Sequence, residues 1–388
     1  MEQKNGHGEL RKGYLKKVKK IVIKVGSAVL TDNGVLNRGT VRRLSEDIAR
    51  LKKKGYQIAL VSSGAIASGV GKLGWTRKPE TIPQKQAVAA IGQGSLIYAY
   101  EEAFQAHGLL VAQLLLTRED LTHRQRYLNA HNTLITLLDW GIIPIINEND
   151  TVAVDEIKFG DNDNLSALIA HLIESDLLII LTDTEGLYDR DPRQDPKARL
   201  IPVIERVDAK TVQYTSNYSG DWGLGGMRSK ILAAQKVTAG GIPVIIAGGR
   251  REGVLSDLMQ GKPLGTFFLP QRPMLNRKKH WIAFTLKPKG EVMVDDGARK
   301  ALLEKGKSLL PSGILAVEGR FGIGACVRIV DPRGEILGKG LVNYPSSDIM
   351  KIMGVKTSEI AKRLTYKYAD EVIHRDNMVI TLDRDAHP

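Results

Sequence analysis

A single cysteine, Cys326, in 388 residues excludes an internal disulfide framework and any metal centre built on paired thiolates. No apolar run approaches the length of a membrane span. Residues 1–20 carry seven Lys/Arg against two Glu but lack an apolar h-region and a cleavage pattern. Residues 1–17 therefore read as a solvated basic tail, and the chain as a soluble cytoplasmic protein. Several signatures of common chemistry are also missing. Gly-x-x-x-x-Gly-Lys-Ser/Thr does not occur, and no Gly-x-Gly-x-x-Gly follows the first strand candidate. Ser63 lies in Ser-Ser-Gly-Ala rather than Gly-x-Ser-x-Gly, which removes support for hydrolase chemistry. His107, His123, His131 and His171 are scattered without metal-ligand spacing, so no metal ligands are assigned.

Aromatic residues make up only 5% of the chain, while the net charge is +13. The charge raises nucleic acid as a partner, but its distribution argues otherwise. Residues 275–388 hold 20 Lys/Arg and 14 Asp/Glu, the first twenty add five positive charges, and the middle is nearly balanced. No basic stripe is interleaved with aromatics, so the question stays open only for the C-terminal part.

What is present is a 43% hydrophobic chain, long enough for two domains. Apolar runs at 21–25, 58–61, 110–115, 142–146, 177–181 and 243–246 alternate with helical patterns at 40–53, 84–106, 129–138 and 230–239. Continuous rather than alternating apolar strands imply burial on both faces, and β–α alternation implies a parallel sheet between helices. Near residue 270 the texture changes. Short β-type runs at 281–286, 291–294, 313–317, 326–330, 338–342 and 378–382, punctuated by glycines, indicate a small, mostly β domain with one clear helix candidate at 297–304. The division expected is a tail over 1–17, an α/β domain over 18–270, a linker over 271–278 and a small β domain over 279–383.

Polar clusters follow the strand candidates: Lys24-Val25-Gly26-Ser27, Ser62-Ser63-Gly64, Asn147-Glu148-Asn149-Asp150 and Thr182-Asp183. In a parallel sheet these share one edge, where such folds bind ligands. Asn147–Asp150 and the 160–164 segment (GDNDN) place carboxylates and carboxamides at a strand end and a helix start. That arrangement suits a small zwitterionic ligand, whose ammonium meets carboxylates and whose carboxylate meets helix N–H groups; a polar loop is the alternative. Lys24 beside Gly26 and Ser27 offers a charge next to closely approachable backbone, or is a solvated strand-end lysine. Gly223-Leu224-Gly225-Gly226-Met227-Arg228-Ser229-Lys230 sets three glycines before a helix with Lys230 in its first turn. The helix dipole disfavours a cation there, so an anion, most simply a polyphosphate, is expected; a surface loop is again the alternative.

With these residues assembled, the chain resembles the glutamate 5-kinase branch of the amino-acid kinase family over nearly its full length. The matching motifs are 22–30 (VIKVGSAVL), 61–69 (VSSGAIASG), 145–152 (IINENDTV), 157–165 (IKFGDNDNL), 181–193 (LTDTEGLYDRDPR) and 225–230 (GGMRSK). From about residue 278 the chain resembles the PUA domain. The resemblance implies a three-layer αβα sandwich with a mainly parallel central sheet, plus a small mostly-β PUA-like domain. It implies that Lys24 and Lys230 stabilise a transferring phosphoryl group and that Asp163 orients both. It also implies a glutamate site at Ser63, Gly64, Asp150, Asp161 and Asn162, with Lys158 on a loop near the phosphates. Nucleotide contacts are implied at Lys24, Thr182, Asp183, Leu224, Gly225, Gly226, Met227, Arg228, Ser229 and Lys230. Leu224 stands where the family usually has Thr, which puts one nucleotide hydrogen bond in doubt.

The implied reaction converts ATP and L-glutamate to ADP and L-glutamyl 5-phosphate, the first step of proline biosynthesis. Mg2+ would be held largely by phosphate and water oxygens. The resemblance further implies a dimer or tetramer, feedback inhibition by proline and a glutamyl-phosphate reductase as onward partner. RNA binding by the PUA-like part stays open. The competing readings are a sibling kinase for acetylglutamate, aspartate, carbamate or UMP, and an RNA-binding protein with a degenerate kinase body.

Overall fold

The computed structural model describes residues 2–32, 34–152, 162–214, 226–271, 279, 282–283 and 286–380. The chain divides into two compact units, Met1–Met274 and Leu275–Pro388.

In the first unit, β1 (Lys20–Val25) is followed by a short hairpin of β2 (Thr31–Asp32) and β3 (Val35–Leu36). Then come β4 (Gln57–Ser62), β5 (Val111–Leu116), β6 (Ile143–Glu148), β7 (Leu177–Thr182), β8 (Val203–Ile204), β9 (Val244–Gly248) and β10 (Thr266–Phe268). Among the described residues these build an eight-stranded sheet in the order β5-β6-β4-β1-β7-β9-β10-β8. The strands from β5 to β9 run parallel, and β10 is antiparallel to β9. Six strands lie where the apolar runs predicted them. β8 and β10, of two and three residues, are too short to leave a periodic signal.

Both faces are buried, as continuous apolar strands require. Ile21, Ile23, Ile58, Leu60, Leu177 and Ile179 pack against Val41, Leu44, Ile48 and Leu51 of the Arg38–Lys53 helix and Leu96, Tyr100 and Phe104 of the Ile82–Gln105 helix. Val22, Leu178 and Ile180 point the other way and are fully buried. The Asn162–Leu172 helix lies on that side, against β1 and β7, and packs on the Met227–Ala239 helix. The result is the three-layer sandwich.

Two helices sit unusually close. The Ala65–Leu73 helix, absent from the sequence reading because Gly64, Gly69, Gly71 and Gly74 obscure its pattern, packs on the Ile82–Gln105 helix through glycines. A Cβ on Gly92 would lie 1.9 Å from the Ala65 carbonyl oxygen and 2.3 Å from the Gly69 nitrogen. Neither is a side chain that could turn aside. Gly92→Ala is therefore expected to cost about 3 kcal/mol or more. Gly94, in the same helix with nothing within 4 Å, should gain about 0.5–1 kcal/mol on the same change. Chemical denaturation of the two variants checks the opposite signs.

The N-terminus differs from the solvated tail expected. Glu2–Leu15 is a helix, and Leu15 and Val18 are buried. Arg11 is buried and donates to the carbonyl oxygens of Pro202 (2.6 Å), Lys262 (3.2 Å), Leu264 (2.7 Å) and Gly265 (3.0 Å), with its guanidinium over the Phe267 ring. Backbone carbonyls, not a carboxylate, hold it, so no charge pairing marked it in the sequence. No described helix is long and apolar enough to cross a membrane.

In the second unit, β11 (Glu291–Val294), β12 (Ile314–Glu318), β13 (Cys326–Val330), β14 (Ile336–Leu341) and β15 (Met378–Ile380) form a sheet in the order β12-β11-β13-β14-β15. Its core gathers Val292, Val327, Ile329, Leu337, Tyr344, Ile349 and Ile373. The Asp296–Lys305 helix was expected; the Ser346–Ile352 and Ile360–Leu364 helices were not, being too short for a helical period to emerge. The 281–286 run falls partly outside the described residues.

Candidate active site

The carboxyl ends of β1, β4, β6 and β7 share one edge, because these strands are parallel neighbours or nearly so. Period-two alternation puts Lys24 on the face of β1 shared with Val22, the face covered by the Asn162–Leu172 helix. Lys24 is only 4% exposed, which overturns the solvated-lysine alternative. Its Nζ lies 2.6 Å from Oδ1 of Asp163, in the first turn of that helix. Lys230, in the first turn of the Met227–Ala239 helix and 6% exposed, reaches Oδ2 of the same carboxylate at 3.2 Å. Ser229 Oγ donates to Oδ2 at 2.6 Å. Two ammonium groups some two hundred residues apart in sequence thus converge on one fully buried carboxylate.

The electrostatics are coherent. Loss of hydration pushes Asp163 upward, but Lys230 and Lys24, with hydrogen bonds from Lys24 and Ser229, outweigh it and hold the carboxyl well below the usual carboxylate range. Asp163 is therefore ionised at physiological pH. It also supplies an anion beside Lys230, so the lysine at that helix end has a protein partner.

Asn162, one residue before Asp163, anchors an adjoining cluster. Its Nδ2 donates to Ser63 Oγ (2.9 Å), to Asn147 Oδ1 (3.0 Å) and, at 3.3 Å, to the Ser62 carbonyl oxygen. Asn147 and Glu148 are the last residues of β6 and are buried, not part of a solvated loop. Asn147 Nδ2 donates to Gln93 Oε1 at 2.8 Å. Ser62 Oγ and Tyr100 Oη lie 2.9 Å apart. Gly64 takes φ +111°, which only glycine adopts readily, and starts the Ala65–Leu73 helix directly after Ser63.

Asp150 sits half-buried in the turn after β6, without a hydrogen bond to that cluster among the described residues. Burial pushes its carboxyl up to about 6. Thr182 ends β7 and donates to Asp183 Oδ1 at 3.0 Å, with Asp183 exposed. Gly26 N–H donates to the Leu181 carbonyl and Gly249 N–H to that of Thr182, so the ends of β1, β7 and β9 are stitched together. Gly226 precedes the Met227–Ala239 helix, Met227 is packed in the core, and Arg228 is exposed. Lys158, Asp161, Leu224 and Gly225 lie outside the described residues. Among the described residues no cluster of His, Cys, Asp and Glu could hold a metal ion.

Sequence reasoning assigned no role to Gln93 or Tyr100, and took Asn147 only as part of the polar cluster Asn147–Asp150. Gln93 and Tyr100 are seven residues apart on one helix, a spacing that marks one face but does not say what that face meets.

Residues 19–248 match the Amino acid kinase family, and residues 290–364 match the PUA domain. The glutamate 5-kinase of Pelobacter propionicus is 53% identical over 372 residues, covering 96% of this chain and 100% of the relative. That of Syntrophus aciditrophicus is 55% identical, covering 96% and 97%. That of Geobacter sulfurreducens is 52% identical over 373 residues, covering 96% and 100%. Identity at this level spans both units. The chain belongs to the amino acid kinase family and, within it, to the glutamate 5-kinases.

Proposed function

We propose that this protein transfers the γ-phosphoryl group of ATP to the γ-carboxylate of L-glutamate, giving L-glutamyl 5-phosphate for proline biosynthesis. The observation that carries the reading is the convergence of Lys24 and Lys230 on Asp163, one residue from the Asn162–Ser63–Asn147 cluster. A phosphate site and a site for a small polar ligand then lie side by side.

The chemistry asks little of the protein beyond placement. A γ-carboxylate is ionised at neutral pH, so no base need remove a proton before in-line attack. The remaining tasks are to align two anions and to neutralise charge spreading over the phosphoryl oxygens. In this reading Lys24 and Lys230 do the second, approaching from a strand end and a helix start, and Asp163 fixes their spacing. Thr182, Asp183 and the 224–230 segment hold the nucleotide. Mg2+, where bound with the nucleotide, would supply charge neutralisation at the phosphates. Ser63, Gly64, Asn162, Asp161 and Asp150 hold glutamate, with Lys158 near the phosphates.

Asp150 gives the reading a pH signature. Its carboxylate is the partner proposed for the glutamate ammonium, and it is protonated below about 6 in the free protein. The KM for glutamate should therefore rise roughly tenfold between pH 7 and pH 5 while that for ATP changes little. Asp150→Asn should raise the KM at pH 7 and flatten its pH dependence; a variant that keeps the wild-type slope assigns the titration elsewhere.

Proline, sharing an ammonium-type nitrogen and an α-carboxylate with glutamate, would compete for the same contacts, so its inhibition should weaken as glutamate rises. A substrate panel tests the whole reading. ADP release dependent on L-glutamate, and small with aspartate, N-acetylglutamate, carbamate and UMP, is the expected result; equal or greater release with any of those overturns the substrate assignment.

A further inference from the structure

The Ile82–Gln105 helix is more than a packing element. We infer that Gln93 on this helix is a positioning residue for the glutamate site, setting the orientation of two side-chain amides in series. The inference rests on the proposed glutamate site and extends it to a residue that touches no reacting group.

The chain of contacts is directional. Gln93 Oε1 accepts from Asn147 Nδ2 at 2.8 Å. With its NH2 turned toward Gln93, Asn147 presents Oδ1 to Asn162, which donates Nδ2 to it at 3.0 Å. Asn162 also gives that NH2 to Ser63 Oγ at 2.9 Å. Every donor of Asn162 is thereby turned toward the protein. Its Oδ1 is left as a buried acceptor with no hydrogen-bond partner among the described residues. An unmet buried acceptor is costly, and a ligand ammonium is the donor that would satisfy it. Were Asn147 to rotate by half a turn, Asn162 could follow and turn its NH2 toward the ligand ammonium, replacing attraction with repulsion.

Gln93 lies on a helix packed closely against its neighbour. The neighbouring residue, Gly92, is in backbone contact with the Ala65–Leu73 helix at Ala65 and Gly69, and that helix begins directly after Ser63 and Gly64. One glycine contact therefore locks the two elements that carry opposite ends of the relay. Tyr100, two turns further along, meets Ser62 Oγ and keeps the same face against the end of β4.

The test uses two substitutions with opposite effects on the acceptor at this position. Gln93→Met retains length and removes the acceptor. Gln93→Glu retains the acceptor, loses the NH2 donor and adds a negative charge. Gln93→Met should raise the KM for glutamate about tenfold, with the KM for ATP and kcat within about twofold. Gln93→Glu should bring the glutamate KM back to within about threefold of wild type. Thermal unfolding of both variants reports folding. If Gln93→Met leaves the glutamate KM unchanged, or both variants raise it equally, or both substrates' KM values rise together with a lowered Tm, the relay is refuted. If the wild-type protein gives no glutamate-dependent ADP release, it is the glutamate reading that fails, and the two failures are told apart by that control.

Discussion

Asp163→Asn should lower kcat on the order of 10³-fold and destabilise the fold by about 3 kcal/mol. The substitution keeps the shape of the side chain and removes only its charge. Lys24 and Lys230 are 4% and 6% exposed, and both lie within 3.2 Å of the Asp163 carboxylate. Two buried ammonium groups would then face each other across a neutral amide. Breaking a buried ion pair from one side is expensive because the remaining charge keeps its desolvation cost. Here two charges remain, and their repulsion would also spoil the spacing that suits a phosphoryl group. The stability loss should hold steady across neutral pH, because Asp163 is held well below the usual carboxylate range and is already ionised. It should shrink only as pH falls toward that depressed value, where the wild-type carboxylate also gains a proton. Urea denaturation at pH 7, with kcat on the folded fraction, checks both parts. A variant with normal turnover would remove Asp163 from the mechanism.

Lys230→Ala should lose on the order of 10²-fold or more in kcat, as for other groups that stabilise developing charge. Unlike the Asp163 change, it should leave the fold nearly intact, since Lys24 still neutralises Asp163 at 2.6 Å. The separation of the two effects is informative. If Lys230 serves only to hold the Met227–Ala239 helix against Asp163, the variant loses stability and keeps its turnover. If it acts on the transferring group, turnover falls and stability changes little. Steady-state kinetics beside thermal unfolding distinguishes these, and a kcat within a fewfold of wild type would place phosphoryl stabilisation on Lys24 alone.

The parallel sheet was legible because its strands are apolar on both faces. The runs at 21–25, 58–61 and 177–181 announced burial without any need of the fold. Lys24, Asp163 and Lys230 were legible as odd polar residues beside apolar elements and glycines. Their meeting was not, because nothing in a single sequence states that helices starting at 162 and 227 lie on one face. The family resemblance supplied that step. The docking of Arg11 escaped notice because four backbone carbonyls hold it, and carbonyls leave no trace in composition. Gln93 escaped for a related reason: one amide in a small-residue helix looks like a surface choice until Asn147 is seen opposite it. The packing of Gly92 on Ala65 and Gly69 was hidden by the usual reading of glycine as a breaker, whereas here its missing side chain allows two helices to touch.

The most direct measurement is incubation of the full chain with ATP, Mg2+, L-glutamate and hydroxylamine, followed by colorimetric detection of hydroxamate. An acyl phosphate formed on a carboxylate is captured, whereas transfer to a hydroxyl, an amine or water leaves no hydroxamate. The account predicts a hydroxamate signal that requires both ATP and glutamate, is small with aspartate, and is nearly lost in Lys230→Ala. A folded, ATP-binding protein that consumes ATP with glutamate yet yields no hydroxamate would contradict it.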